Sequence, residues 1–178
     1  MMLRKAKLRD VDRIFDLLQA YAKEGLLLPR TRQSICESLS SFFVVDQEGE
    51  VVATAALHIL GDDLAEIRSL AVVKEQHGKG LGKLLVNRLF EEAQELEIPR
   101  VLALTYQQAF FERCAFVIVD KAVLHRKIWK DCIHCKKFPL CDEIAMVRAT
   151  TFYQEAEPQE DTEPDDAVSD VYMDSHAM

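Results

Sequence analysis

No apolar run in the 178-residue chain approaches the roughly 20 residues that cross a bilayer. The opening Met-Met-Leu-Arg-Lys-Ala-Lys-Leu-Arg-Asp has no apolar stretch of the kind that marks a secretory signal. Together these absences set the expectation of a cytoplasmic protein without a membrane partner. Lys and Arg are missing after Arg148, while residues 151–178 hold nine acidic side chains. The formal charge of −8 therefore belongs to that tail. Without it, 22 basic residues face 21 acidic ones, and a near-neutral domain does not advertise a nucleic-acid partner. No internal repeat is visible. What is present, 49% hydrophobic residues in a chain of this length, is enough for one core.

The expected organisation is one catalytic domain over residues 1–148, followed by an acidic tail over 149–178 too poor in apolar surface to offset its ordering entropy. Residues 2–8 read as a strand, and Asp10 sits at the N-cap position of a helix with Val11, Ile14, Leu17, Leu18 and Tyr21 on one face. Gly25 to Arg30 breaks that helix, and Thr31 caps a second, short one reaching Leu39. Phe42–Val45 and Val51–Ile59 form a hairpin about Gln47–Glu50, and residues 64–73 make a further strand. A helix follows from Leu81 to about Glu97, closed by Pro99, with Leu81, Leu84, Leu85 and Leu89 on one face. Arg100–Thr105 returns as a buried strand. The last elements are a helix over Ala109–Cys114 and strands over Phe116–Val119 and Ile144–Arg148. Hairpins first, then strand–helix–strand, give an α/β fold of the α+β type: a mixed, mostly antiparallel sheet flanked by helices.

Of only six glycines, three alternate within His77-Gly78-Lys79-Gly80-Leu81-Gly82, between a strand and an amphipathic helix. Such a turn brings backbone N–H groups close to a ligand without Cβ interference, and the helix start adds its own donors and partial positive charge. Together they suit a pyrophosphate. A Walker loop is excluded, because no Lys-Ser/Thr pair follows the last glycine. The antiparallel hairpins that precede the turn fit a dinucleotide fold poorly.

Read as one block, Glu66 to Gly82 resembles the acetyl-CoA motif of the GNAT superfamily of N-acetyltransferases: a strand, Gln/Arg-x-x-Gly-x-Gly/Ala, then a helix. His77 takes the Gln/Arg place, a departure. The resemblance spans nearly all of residues 2–148 and implies the GNAT fold with acetyl-CoA as co-substrate. It implies that Leu70, Ala71 and Val72 pair with the pantetheine amides. It also implies that His77, Gly78, Lys79, Gly80, Leu81 and Gly82 cradle the pyrophosphate, with Lys83 adding charge nearby. Gln107 to Phe116 is similar to a later superfamily motif, but Phe111 stands where a tyrosine often acts as general acid, and Ala115 where glycine is usual.

Acetyl transfer to an amine needs a base, and Glu66, mid-strand among apolar neighbours, is the candidate. A structural pairing of Glu66 with Arg68, on the same strand face, is an equal alternative, and both roles are compatible. Tyr106 is the nearest hydroxyl for the acid, against a purely structural role or proton delivery by solvent. Segments 27–30, 64–72, 104–111 and 127–132 resemble short bacterial N-acetylglutamate synthases. That resemblance implies an amino-acid substrate, glutamate, whose carboxylates need fixed cations: Arg30, Arg68 and, third, Lys127. Another amine, a protein N-terminus, or a non-catalytic acyl-CoA-binding module are the alternatives. Oligomeric state stays open, a homodimer included. No amino-acid kinase domain like that of the longer synthases is expected within these 178 residues.

Cys36 and Cys114 read as core residues. Cys132, Cys135 and Cys141 cluster in a pattern that a structural zinc could use, with His125, His134 or Asp142 as fourth ligand. A second Cys-x2-Cys pair is lacking, so a reduced hairpin or redox-sensitive thiols fit as well, and no metal is assigned.

Overall fold

The computed structural model describes residues 1–121, 124 and 141–154. Lys127, Cys132, Cys135, His125, His134 and the tail beyond residue 154 lie outside the described residues. Strand β1 (Met2–Lys5) leads into helices α1 (Val11–Lys23) and α2 (Arg32–Glu37). Strands β2 (Phe42–Gln47), β3 (Glu50–Ile59) and β4 (Leu64–Val72) follow, then α3 (Leu81–Glu95), β5 (Arg100–Thr105) and α4 (Gln108–Glu112). The last described strands are β6 (Val117–Ile118) and β7 (Ile144–Ala149). The seven strands form one sheet in the order β1-β2-β3-β4-β5-β7-β6, antiparallel throughout except between β4 and β5. The α+β reading of the sequence holds. Among the described residues no helix is long and apolar enough to cross a membrane.

Period-two alternation sends successive strand residues to opposite layers. On β2, Phe43 and Val45 face the layer filled by Leu85, Leu89 and Ala93 of α3, while Phe42 and Val44 face Ile14, Leu18 and Ile35 of α1 and α2. Leu85 and Leu89 are wholly buried, each contributing on the order of 2 kcal/mol by removal from water.

One irregularity organises the site. Along β4, Ala65 and Ile67 point to the α3 layer, but beyond Ser69 it is Leu70 and Val72 that do, and Ala71 turns to the α1 layer. The register explains the switch: Thr54 opposes Ala71, yet Ala56 opposes Arg68, so β4 carries one extra residue. Ser69 absorbs it at φ 56°, a β-bulge built without glycine. Pairing of β4 with β5 stops at Glu66 and Leu102, although both strands continue. Their facing edges thus diverge.

Leu84, grouped by spacing with Leu81, Leu85 and Leu89, is exposed on α3, and two further local expectations need correction. Asp10 stands at the N-cap position of α1 but makes no capping bond. Its buried carboxylate instead accepts from Arg4 Nη1 and Nη2, at 2.6 and 2.9 Å, and from the Lys7 N–H. Arg4 also reaches Asp46 at 2.7 Å, tying β1, the turn before α1 and β2 together. Cys36 is exposed, because α2 buries only Ile35 and the next residue lies about 100° around the helix. Cys114 is buried as expected, and Thr31 caps α2 through the Ser34 N–H at 3.0 Å.

The Arg4 network makes stability acid-sensitive. Hydrogen bonds from Arg4 hold the Asp10 and Asp46 carboxyls below the usual carboxylate range. A depressed folded-state pKa stabilises above the unfolded value of about 3.9, and that contribution is lost as pH falls through the folded value. The melting temperature is therefore expected to hold near neutrality and drop once pH goes below about 4. Asp10→Asn should lie lower at pH 7 and close on the wild type in acid. Parallel curves for the two proteins would refute this role.

Candidate active site

Between the diverging edges of β4 and β5 lies a cavity of about 430 Å³. Its walls are Glu66 to Leu70, Leu104 to Gln107, the loop Leu26 to Arg30, and Tyr21, Phe110, Phe111, Cys141 and Glu143. Glu66, Arg68, Arg30 and Tyr106, scattered over the chain, meet here.

Glu66 and Arg68 lie on one face of β4 because they are two residues apart and both precede the bulge. Arg68 Nε donates to Glu66 Oε2 at 2.5 Å, with the Glu66 side chain almost wholly buried. The ion pair weighed from sequence is thus present, and the carboxylate stands at the cavity wall. Neither function excludes the other, since a paired carboxylate still has acceptor lone pairs to offer.

Arg30 leaves the loop after Pro29 and is held by α2. Its Nε donates to Ser34 Oγ at 3.0 Å, and Nη2 donates to the Ser34 carbonyl at 3.1 Å and Ser38 Oγ at 3.0 Å. Burial, then the charge of Arg68, lower the Arg30 pKa. Two guanidiniums thus press on each other within one cavity. A pocket that gathers desolvated positive charge in this way is complementary to an anion.

Tyr106, just past β5, donates to Asp142 Oδ1 at 2.5 Å. Phe111 is buried and packs edge-on against Phe110 and Phe116, so the position often given to a tyrosine is filled by the core. Ala115 adopts φ 64°, a left-handed backbone that accounts for glycine being usual there.

The glycine turn has the geometry its composition demands. Gly78 and Gly80 sit at φ 77° and 80°, and Gly80 is the N-cap of α3. The first bond of the helix runs from Leu84 N–H to the Gly80 carbonyl, so the N–H groups of Leu81, Gly82 and Lys83 precede the ladder. At Gly82 a Cβ would lie 3.2 Å from the Phe110 ring, which explains the third glycine by close packing. Lys79 Nζ bonds the Gln76 side chain at 2.9 Å. His77 turns back onto the strand, with Nε2 2.8 Å from the Tyr21 hydroxyl and 2.9 Å from the Val72 carbonyl.

Peptide orientation sorts the three strand residues. Val73 N–H bonds the Val52 carbonyl, making 52–73 the bonded antiparallel pair. Ala71 is then directed at Thr54 of β3, and Val72 turns its N–H and C=O to the open edge, where Tyr21 and His77 already bond the carbonyl. The open edge, the positive-φ loop and the unladdered helix start suit an elongated ligand that ends in phosphates. Tyr21, Ser34 and Ser38 were not foreseen among the site residues. Tyr21 reads as part of an apolar helical stripe, and the two serines carry no motif.

Comparison with known proteins bears on this geometry. A model of the acetyltransferase (GNAT) family matches residues 11–116. A Chlorobaculum tepidum protein named as an uncharacterized N-acetyltransferase is 40% identical over 146 residues, covering 82% of this chain and 94% of that one. An amino-acid acetyltransferase of Mycobacterium tuberculosis is 36% identical over 122 residues, 67% of this chain and 70% of its own. Among solved structures, N-acetylglutamate synthase from Neisseria gonorrhoeae, complexed with coenzyme A and N-acetyl-glutamate, superposes with a TM-score of 0.76 at 25% identity. That match covers 83% of this chain but only 34% of the longer synthase.

Proposed function

The chain belongs to the acetyltransferase (GNAT) family, and on that premise we propose that it acetylates the α-amine of L-glutamate, the first step of arginine synthesis. It is an acetyl-CoA-dependent N-acetyltransferase. The observation that carries the glutamate reading is the pair of guanidiniums, Arg30 and Arg68, in one cavity with the buried carboxylate Glu66.

Acetyl-CoA supplies the activated acyl thioester. Leu70, Val72 and the N–H groups at the start of α3 bind and orient it, with Gly78 and Gly80 bringing the backbone close. Arg30 and Arg68 hold the acceptor's carboxylates, which fixes its amine near Glu66. Glu66, directly or through a water, takes the ammonium proton and so exposes the nucleophilic lone pair. Tyr106, at the cavity wall, is the candidate to protonate the departing sulfur by turning its hydroxyl away from Asp142, with solvent as the other source.

A second acceptor is favoured by one detail. Arg68 Nε is already committed to Glu66, and Arg30 Nε and Nη2 to Ser34 and Ser38, so the acceptor site has fewer donors to offer than two arginines imply. A monocarboxylate such as glutamine fits that arithmetic. The deciding experiment is CoA release from acetyl-CoA with glutamate, glutamine, aspartate or a polyamine. Glutamate turning over fastest supports the proposal, glutamine overtaking it installs the second reading, and turnover with none of them removes both.

A further inference from the structure

Val72 ends β4 with its peptide group turned to the open edge, and two side chains from distant elements converge on its carbonyl. Tyr21, on the last turn of α1, reaches it at 2.6 Å, and His77 Nε2, at the start of the glycine turn, at 2.9 Å. The two side chains are themselves 2.8 Å apart. A carbonyl only accepts, so the Tyr21 hydroxyl donates to it and His77 carries a proton on Nε2, which is shared with the Tyr21 oxygen. Burial pushes the Tyr21 phenol up, which keeps it a donor throughout the working range of the enzyme. The Val72 N–H is 3.4 Å from the same hydroxyl, a weak contact that leaves this donor to an incoming amide.

We propose that Tyr21 is a positioning residue of the acetyl-CoA subsite, clasping the His77 imidazole onto the Val72 carbonyl and thereby setting where the glycine turn leaves the strand. The inference rests on the acetyl-CoA reading of the site and adds to it a residue from outside the motif. It also accounts for the departure at position 77. The glutamine or arginine usual in the motif is replaced by a ring that bonds backward to the protein. Gly78, the very next residue, sits at φ 77°, and Gly80 starts α3 two residues later. Releasing the ring frees the residue from which that sequence of dihedrals begins. The N–H groups that face the phosphates then lose their fixed directions. Tyr21 occupies this place because α1 lies against the same face of the sheet as Ala71, and its spacing from Leu17 and Leu18 carries the ring over the strand end.

The test is calorimetric binding of acetyl-CoA to the full chain, with steady-state kinetics alongside. Tyr21→Phe removes only the hydroxyl and is expected to weaken acetyl-CoA binding about tenfold, the equivalent of one well-placed hydrogen bond, and to raise its KM alike. The kcat and the acceptor KM should be essentially unchanged. His77→Ala should match it, the double variant should be no worse than the worse single, and His77→Gln, which keeps an N–H donor, should restore most of the loss. Unchanged or tighter acetyl-CoA binding in Tyr21→Phe overturns the clasp, as do additive losses. A rise in the acceptor KM alone also overturns it, reassigning Tyr21 to the acceptor cavity that it lines. A wild-type protein that fails to bind acetyl-CoA overturns the reading beneath it as well.

Discussion

Glu66→Gln is expected to lower kcat by about a hundred- to ten-thousand-fold, the range that a positioned general base contributes. The amide has the size of the carboxylate and keeps an oxygen to accept from Arg68 Nε, so the local packing is preserved. What it loses is the ability to take a proton. Binding of acetyl-CoA, proposed to rest on the glycine turn and strand edge, should not change. The pH profile separates the two roles of this residue. At low pH the acceptor amine is almost entirely protonated and the wild-type advantage should be largest. As pH rises the amine becomes neutral without help, and the deficit of the variant should narrow. A deficit that stays constant across pH, accompanied by a lower melting temperature, would mean that Glu66 serves only as the partner of Arg68.

The two roles share one geometric origin. Glu66 and Arg68 alternate onto the same face of β4, a relation legible in the sequence because it needs only the two-residue period of a strand. The glycine turn was legible for a similar reason. Left-handed backbone at Gly78 and Gly80 leaves few other residues able to stand there, and a helix start after them follows from the apolar spacing of Leu81, Leu85 and Leu89. Short-range rules of this kind also recovered the Thr31 cap and the break at Gly25 to Arg30. The bulge escaped because Ser69 takes up φ 56° with no glycine to announce it, and its cause is the register with β3, set by residues far along the chain. Asp10 escaped because its competing partner, Arg4, lies on a different element. Tyr21 was hidden in plain view. An aromatic residue on an apolar helical face is read as core, and only its hydroxyl, meeting Val72 and His77, marks it as more.

Arg30→Ala is expected to raise the KM for the amino-acid acceptor by about 10- to 150-fold, the worth of a hydrogen bond to a charged group, with a smaller effect on kcat. The same variant should leave the melting temperature unchanged or slightly higher. Arg30 is half buried, and both burial and the neighbouring Arg68 oppose its charge, so the folded chain gains little from holding it there. Ser34 and Ser38 satisfy part of the guanidinium and fix its plane, but these bonds serve orientation at the expense of repulsion within the cavity. Such an arrangement makes sense if an acceptor carboxylate arrives to neutralise the pair, and a gain in stability on its removal is the signature of a residue kept for binding. Arg30→Lys should not rescue KM, because a single ammonium cannot bond Ser34 and Ser38 as Nε and Nη2 do and still leave a separate nitrogen, Nη1, for a carboxylate. If Arg30→Ala instead destabilises the protein and leaves the acceptor KM intact, Arg30 is a strut between its loop and α2. The carboxylate clamp then reduces to Arg68, and the glutamate reading loses the observation that carries it.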